Sequence, residues 1–201
     1  MHDQSSEHSS LMVICHPNPN SLCGRIADRA AVTLSGRGSK VVVHDLYRMN
    51  FNPLLSEEEF ATYHTERIPQ DIISLVAGLR AACELIFILP IWMFDMPAVL
   101  KGYFDRIWRP SVAFDFDGTE LRPLLFGIER LTVVVTHGRS EVETSDTGDG
   151  SRVFFRSSLP TLLPKLKANT RFDFYAFDKP DDDAIERQIS CIFEHLCRER
   201  I

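Results

Sequence analysis

The chain has 201 residues, of which 44% are hydrophobic and 25% charged, and its formal net charge is −6. That composition suits one globular domain with a sizeable core, and it excludes a nucleic-acid binder, which needs clustered Lys and Arg to neutralise phosphates. The longest apolar run, residues 85–94, carries Pro90 and is too short to span a bilayer, so no membrane insertion is expected.

The opening MHDQSSEHSS is polar and lacks the apolar centre of a secretory signal. Residues 1–10 read as a disordered tail and residues 11–201 as a single domain. LMVIC (11–15) predicts the first strand, and the loop HPNPNS leads into a helix whose Leu22, Ile26 and Ala30 recur on one face and which ends at Gly36 to Gly38. KVVVHD (40–45) predicts the second strand. After a longer connection comes a helix near 70–82, and then ELIFIL (84–89), apolar beyond Glu84 as a strand covered on both faces should be.

MPAVLKGYFDRIW predicts a helix with Pro97 in its first turn and Asp95 as N-cap. RLTVVVT (130–136), a helix near 153–167, RFDFYAF (171–177) and a helix over 181–198 complete the pattern. Strands alternating with helices imply a parallel sheet covered on both sides, with ligands outside the carboxyl ends of its strands. That directs attention to the segments after Cys15, Leu89 and Thr136.

Each of the three segments has two readings. Asn18, Asn20 and Ser21 place donors at a helix N-terminus, where phosphate is attracted, and Asn20 or Ser21 also makes an ordinary N-cap. Trp92, Met93 and Phe94 suit a planar ring, or they plug the sheet end or form a subunit contact. Gly138 allows close backbone approach, and the polar residues 138–151 read as a mobile lid or an exposed loop.

Other signals carry less. GRGSK precedes a strand and lacks the third glycine of a dinucleotide fingerprint. Asp117-Gly118 suits a hairpin turn better than a calcium loop. Lys101, Asp105 and Arg109 stand four apart and read as a solvated ion ladder. The histidines show no metal-ligand spacing, so no metal site is expected. Five cysteines, Cys15, Cys23, Cys83, Cys191 and Cys197, form no C-x-x-C pair, which points to buried reduced thiols and a cytoplasmic location.

Two stretches, DLYRMNFNPLLSEEEF (45–60) and LPIWMFDMPAVLKGYFDRIW (89–108), resemble the NAD(P)H:quinone oxidoreductases of the flavodoxin-like superfamily, the group of DT-diaphorase and the modulator-of-drug-activity-B type. The resemblance implies an α/β three-layer sandwich with a five-stranded parallel sheet in order 2-1-3-4-5, a bound flavin and a homodimer. His16 and Ser21 keep the family's His and Ser in the flavin-phosphate loop, while Leu22 and Cys23 replace its usual Phe-Asn. Pro90, Ile91, Trp92, Met93 and Phe94 match the loop along the isoalloxazine ring, with Met93 in place of a frequent Trp.

Val135-Thr136-His137-Gly138 stands where many members have Thr-Thr-Gly-Gly, and the Tyr and His that relay protons in DT-diaphorase have no counterparts. The implied reaction is ping-pong: NAD(P)H passes a hydride to the flavin, and a quinone or similar flat acceptor takes two electrons from it. FAD is expected from chain length, with FMN the alternative. His137 or Arg139 is the candidate for supplying positive charge near flavin N1 and O2; the other reading makes them surface residues. A flavin-binding ancillary regulator of a potassium-efflux system is the rival function. A receiver domain is disfavoured, because His16 and Pro90 occupy its acidic positions.

Overall fold

The computed structural model describes residues 8–175 and 182–198. In chain order its elements are β1 (Ser9–Ile14), α1 (Leu22–Gly36), β2 (Lys40–Asp45), α2 (Glu57–Ala61), α3 (Ile73–Ala81), β3 (Glu84–Pro90), α4 (Ala98–Ile107), β4 (Phe114–Phe116), β5 (Leu121–Pro123), β6 (Arg130–Thr136), α5 (Glu141–Thr147), α6 (Gly150–Val153), β7 (Ala168–Phe174) and α7 (Asp182–Arg198). The main sheet is parallel in the order β2-β1-β3-β6-β7, which is 2-1-3-4-5 counted along that sheet. β4 and β5 form a separate antiparallel hairpin around Asp117 and Gly118, whose φ of +94° is open to glycine.

The period of two along each strand divides the core into two layers. Leu11, Val13, Leu85, Phe87, Leu89, Leu131, Val133 and Val135 face one side, packing with α3 and α4. Met12, Ile14, Ile86, Ile88 and Val134 face the other, against α1 and α7. Crossovers on both faces leave the loops after β1, β3 and β6 together at the carboxyl edge.

β1 starts at Ser9, earlier than the expected tail allows, and residues 1–7 lie outside the described residues. Two serines enter a buried strand because Ser10 donates to Glu84 Oε2 (2.7 Å) and its hydroxyl also meets that of Ser39 (2.7 Å). Glu84 in turn pairs with Arg130 and Arg37, so the opposite sheet edge is closed by buried ion pairs.

The connection after β2 is fastened to α4 in the same way. Buried Glu59 accepts from Arg106 Nε at 2.7 Å and Arg109 Nη1 at 3.3 Å, while Arg106 also donates to Asn52 O and Asp71. Arg109 is therefore fully buried and not the end of a solvated ladder; only Lys101 and Asp105 pair in solvent. A Cβ on Gly102 would stand 2.3 Å from Pro53 O, so only glycine lets this connection lie directly on the helix.

Other expectations shift locally. Pro97, without a side-chain bond, is the N-cap of α4; Asp95 instead accepts from the next N–H, that of Met96 (2.7 Å). The helix expected over 153–167 is a π turn, Phe154–Ser158, then a 3-10 turn ending at Leu162, because Pro160 supplies no N–H to extend it. β7 lies earlier than expected, and residues 176–177 and 181 are outside the described part. Among the cysteines only Cys15 and Cys23 are buried; Cys191 and Cys197 are exposed on α7.

Candidate active site

The first loop is built by its own polar side chains. His16 Nδ1 accepts from the Asn18 N–H (3.1 Å), Asn18 Oδ1 from the Asn20 N–H (2.9 Å), and Ser21 Oγ caps α1 by accepting from the Gly24 N–H (3.2 Å). A Cβ on Gly24 would lie 1.9 Å from Pro19 O, so the loop closes over the first helical turn. The N–H groups of Leu22 and Cys23 stay without intrahelical acceptors, as helix geometry demands, and a helix N-terminus favours an anion.

The second loop is strained. Trp92 and Asp95 exchange backbone hydrogen bonds of 2.9 and 3.2 Å, and the two residues between them, Met93 and Phe94, have φ of 48° and 66°. Two successive left-handed residues are the pattern of a type I′ turn, where Gly and Asn are the comfortable choices. The turn holds Met93 88% exposed and leaves the N–H groups of Met93 and Phe94 without an acceptor among the described residues. Trp92 is directed toward the first loop, its ring 5.9 Å from His16 and 6.4 Å from Tyr47.

The third segment is helical and not an irregular loop. Ser140 and Glu143 form a capping box that starts α5, and Asp149 caps α6 by accepting from the Ser151 N–H (3.0 Å). Gly150 donates to Phe94 O at 2.8 Å, fixing α6 to the strained turn. Between the second and third segments opens a cavity of about 240 Å³ lined by Ile91, Met93, Phe94, His137, Gly138 and Arg139. Arg139 lies over the Phe94 ring at 4.9 Å.

His137 is buried on this wall. Its Nε2 is 2.8 Å from Asp173 Oδ1 on β7, and its ring stacks on Tyr175 at 4.6 Å. Burial works against ionisation of Asp173, but hydrogen bonds from His137 and Arg171 and the charges of Arg171 and Arg152 hold its pKa down at about 2. An ionised carboxylate only accepts, so His137 Nε2 carries the proton. His137, Asp149 and Asp173 cluster closely enough to suggest a metal, yet Arg171 already bridges the two carboxylates.

A family model described as flavodoxin-like fold matches residues 9–172. Human ribosyldihydronicotinamide dehydrogenase (quinone) is 30% identical over 72% of this chain and 70% of its own length. The chain belongs to the NAD(P)H:quinone oxidoreductase family, in the flavodoxin-like fold. The NAD(P)H:quinone oxidoreductase of Methanothermobacter marburgensis superposes with a TM-score of 0.78 at 25% identity, covering 96% of this chain and 98% of that one. An FMN-dependent NADH-azoreductase from Bacillus anthracis, in complex with FMN, has the same fold: TM-score 0.70, 16% identity, 95% and 98% covered. The match spans 57% of the length of one curated relative and 70% of another.

Within that family frame, the structure gathers Ile91, Met93, Phe94, His137 and Gly138 around one cavity. His16, Asn18, Asn20 and Ser21 form the adjacent loop, with Trp92 between. Leu22, Pro90 and Thr136 are buried supports. The Leu22 side chain packs in the core, leaving only its N–H for a ligand, and Thr136 Oγ1 lies 3.4 Å from Cys23 Sγ. Sequence reasoning missed Asp173 on β7 and Tyr175 just after it, which support His137 from behind. The S-x-x-E of the α5 capping box was a readable signal for that helix.

Proposed function

We propose that the chain is a flavin-dependent quinone reductase that passes two electrons from NAD(P)H to a quinone or similar flat acceptor. One observation carries the reading: the strained 92–95 turn presents two acceptor-less N–H groups and a flat apolar wall beside the cavity, one loop away from the free N–H groups of α1. That arrangement fits an extended ligand with an anionic tail and a planar head.

The α1 first turn, with Ser21 and Asn18, would hold the flavin phosphate; the 91–94 segment would lie along the ring, with Gly138 opposite. The flavin supplies the hydride-accepting atom. The chain's residues orient the ring, exclude water with Phe94 and Ile91, and place Arg139 and His137 at the cavity wall. The FMN held by the azoreductase of this fold, together with the altered Leu22-Cys23 positions, favours FMN over the FAD expected from chain length.

A homodimer is the proposed assembly. Exposed Leu121, paired with exposed Phe116, lines an apolar cavity of about 310 Å³ bordered by Phe104, Trp108 and Phe154, a face that a second copy would cover. No helix among the described residues is long and apolar enough to cross a membrane. Five unpaired cysteines suit the reducing cytoplasm.

Titration of the cofactor-free protein with FMN and with FAD, followed by flavin fluorescence, tests the binding half of the proposal. Saturable binding, tighter for FMN and weakened in Ser21→Ala, is the expected result. Absence of binding by either flavin contradicts it.

A further inference from the structure

We propose that Asp173 is a positioning residue that holds His137 as the Nε2–H tautomer, so that Nδ1 delivers the proton the acceptor needs. The inference rests on the quinone-reductase reading and adds to it the route of the second proton.

The reaction's balance creates the need. A dihydronicotinamide gives up two electrons and one hydrogen nucleus as hydride, whereas a quinone takes two electrons and two protons to become a hydroquinone. One proton must therefore enter from solvent, through a group at the cavity wall. At that wall the structure offers His137, with Asp173 on its Nε2.

Its geometry is fixed from several directions. The His137 N–H donates to Phe174 O at 2.7 Å, continuing the β6–β7 ladder in which Thr136 faces Phe174. That register brings Asp173, a residue 36 positions away, to 2.8 Å from Nε2. Tyr175 stacks on the ring with an interplanar angle of 22°. Nδ1 has no partner among the described residues, although His137 is only 2% exposed and lines the cavity.

The surrounding charges keep Asp173 an acceptor. Arg171 Nε reaches its two oxygens at 3.0 and 3.1 Å, and Arg152 Nη2 reaches Oδ2 at 3.2 Å. Arg152 also donates to the Tyr175 hydroxyl at 3.0 Å. Asp149, the other carboxylate near the imidazole, is taken up by Arg171 and by the Ser151 hydroxyl. With Nε2–H committed to Asp173, only Nδ1 exchanges protons with the cavity.

In the proton step the Nδ1–H bond of the imidazolium breaks and an O–H bond forms on the acceptor oxygen. The electron pair of the broken bond stays on Nδ1, and water restores the proton. Asp173 remains ionised throughout, stabilising the imidazolium and barring the tautomer that would present Nδ1–H when neutral.

The test uses cofactor-free protein labelled with 15N-histidine, in which two-bond 15N–1H correlations report the tautomer of each ring and His137→Asn assigns its signals. The expected wild-type pattern is Nε2–H, and Asp173→Asn is expected to admit the Nδ1–H form. In rapid mixing of the FMN-loaded protein, Asp173→Asn is expected to slow acceptor reduction about 100-fold, at least tenfold more than it slows hydride uptake. A wild-type Nδ1–H pattern overturns the positioning role, even if Asp173→Asn fails to fold. An altered tautomer with equal slowing of both half-reactions overturns proton delivery. A wild-type Nε2–H pattern in a protein that takes no hydride overturns the reductase reading, and proton delivery with it, while upholding the pair's geometry.

Discussion

Arg139 holds its guanidinium 4.9 Å above the centre of the Phe94 ring, and this contact ties the segment after β6 to the strained turn after β3. The same guanidinium donates to Thr147 Oγ1 at 2.9 Å, so α5 is bound into the arrangement. The site is thus closed by two segments, 92–95 and 138–151, that share no local sequence.

Replacing Arg139 with Ala should loosen that closure without unfolding the protein. A cation–π contact at an exposed site contributes about 0.5–1 kcal/mol. The expected outcome is a midpoint of denaturation shifted by no more than that, with the KM for a quinone raised roughly fivefold, the affinity equivalent of ~1 kcal/mol. Denaturant titration and steady-state kinetics on one preparation check both parts.

Met93 stores strain that glycine would release. Its φ is 48° and its side chain is 88% exposed, so removal of the side chain loses no packing. Left-handed backbone costs an L-residue about 1 kcal/mol or more, partly offset by the greater freedom glycine loses on folding. Met93→Gly should leave stability unchanged or raise it by up to ~0.5 kcal/mol while weakening flavin binding. Thermal denaturation and a fluorescence titration are the measurements.

Glu59 offers the opposite case. Its carboxylate is buried between Arg106 and Arg109, whose side chains are 4% and 0% exposed. Glu59→Ala would leave two buried guanidinium groups without their shared anion, a loss of about 3–5 kcal/mol. Urea denaturation should show it, with proteolysis appearing first within residues 45–72.

Acid should act in two stages. Burial depresses the pKa of His44 to about 4, below the ordinary value for histidine, and the neutral ring stays beside the Tyr103 hydroxyl at 2.8 Å. A depressed folded-state pKa means the unfolded chain binds the proton more readily, so the stability His44 contributes is full above pH ~6.5 and declines toward pH 4. Asp173, held at about 2, adds a further loss as pH falls from ~4. Stability measured against pH should show both slopes, and His44→Gln should remove the first while keeping a partner for Tyr103.

The strands themselves were legible because β1, β2, β3 and β6 are short apolar runs bounded by turn residues, whereas their order in the sheet came from the family resemblance. Ser9 and Ser10 hid the start of β1, since their burial depends on Glu84, 74 residues beyond Ser10. Arg109 looked solvated because the helix spacing to Asp105 is local, whereas its true partner Glu59 is 50 residues away. α5 has only seven residues, too few for periodicity, and only its capping box marked it.

The candidate site divides in the same way. The aromatic cluster and His137-Gly138 stood out as residue types at strand ends, and the structure brings Met93, Phe94, His137 and Gly138 to one cavity while Trp92 turns to His16. Asp173 did not, because a single carboxylate in RFDFYAF gains meaning only through the β6–β7 register that lays it beside His137. Side chains that act through another strand are invisible until the strands are paired.

The central claim is that this cavity and the adjoining loop hold a flavin that receives hydride from NAD(P)H and yields two electrons to a quinone. The visible spectrum of the FMN-loaded protein, taken anaerobically before NADPH, after NADPH and after a quinone, tests it most directly. The account predicts a flavin band that bleaches with NADPH and returns with one equivalent of quinone. A bound flavin that NADPH leaves oxidised would contradict it and point instead to a regulator that only carries the cofactor.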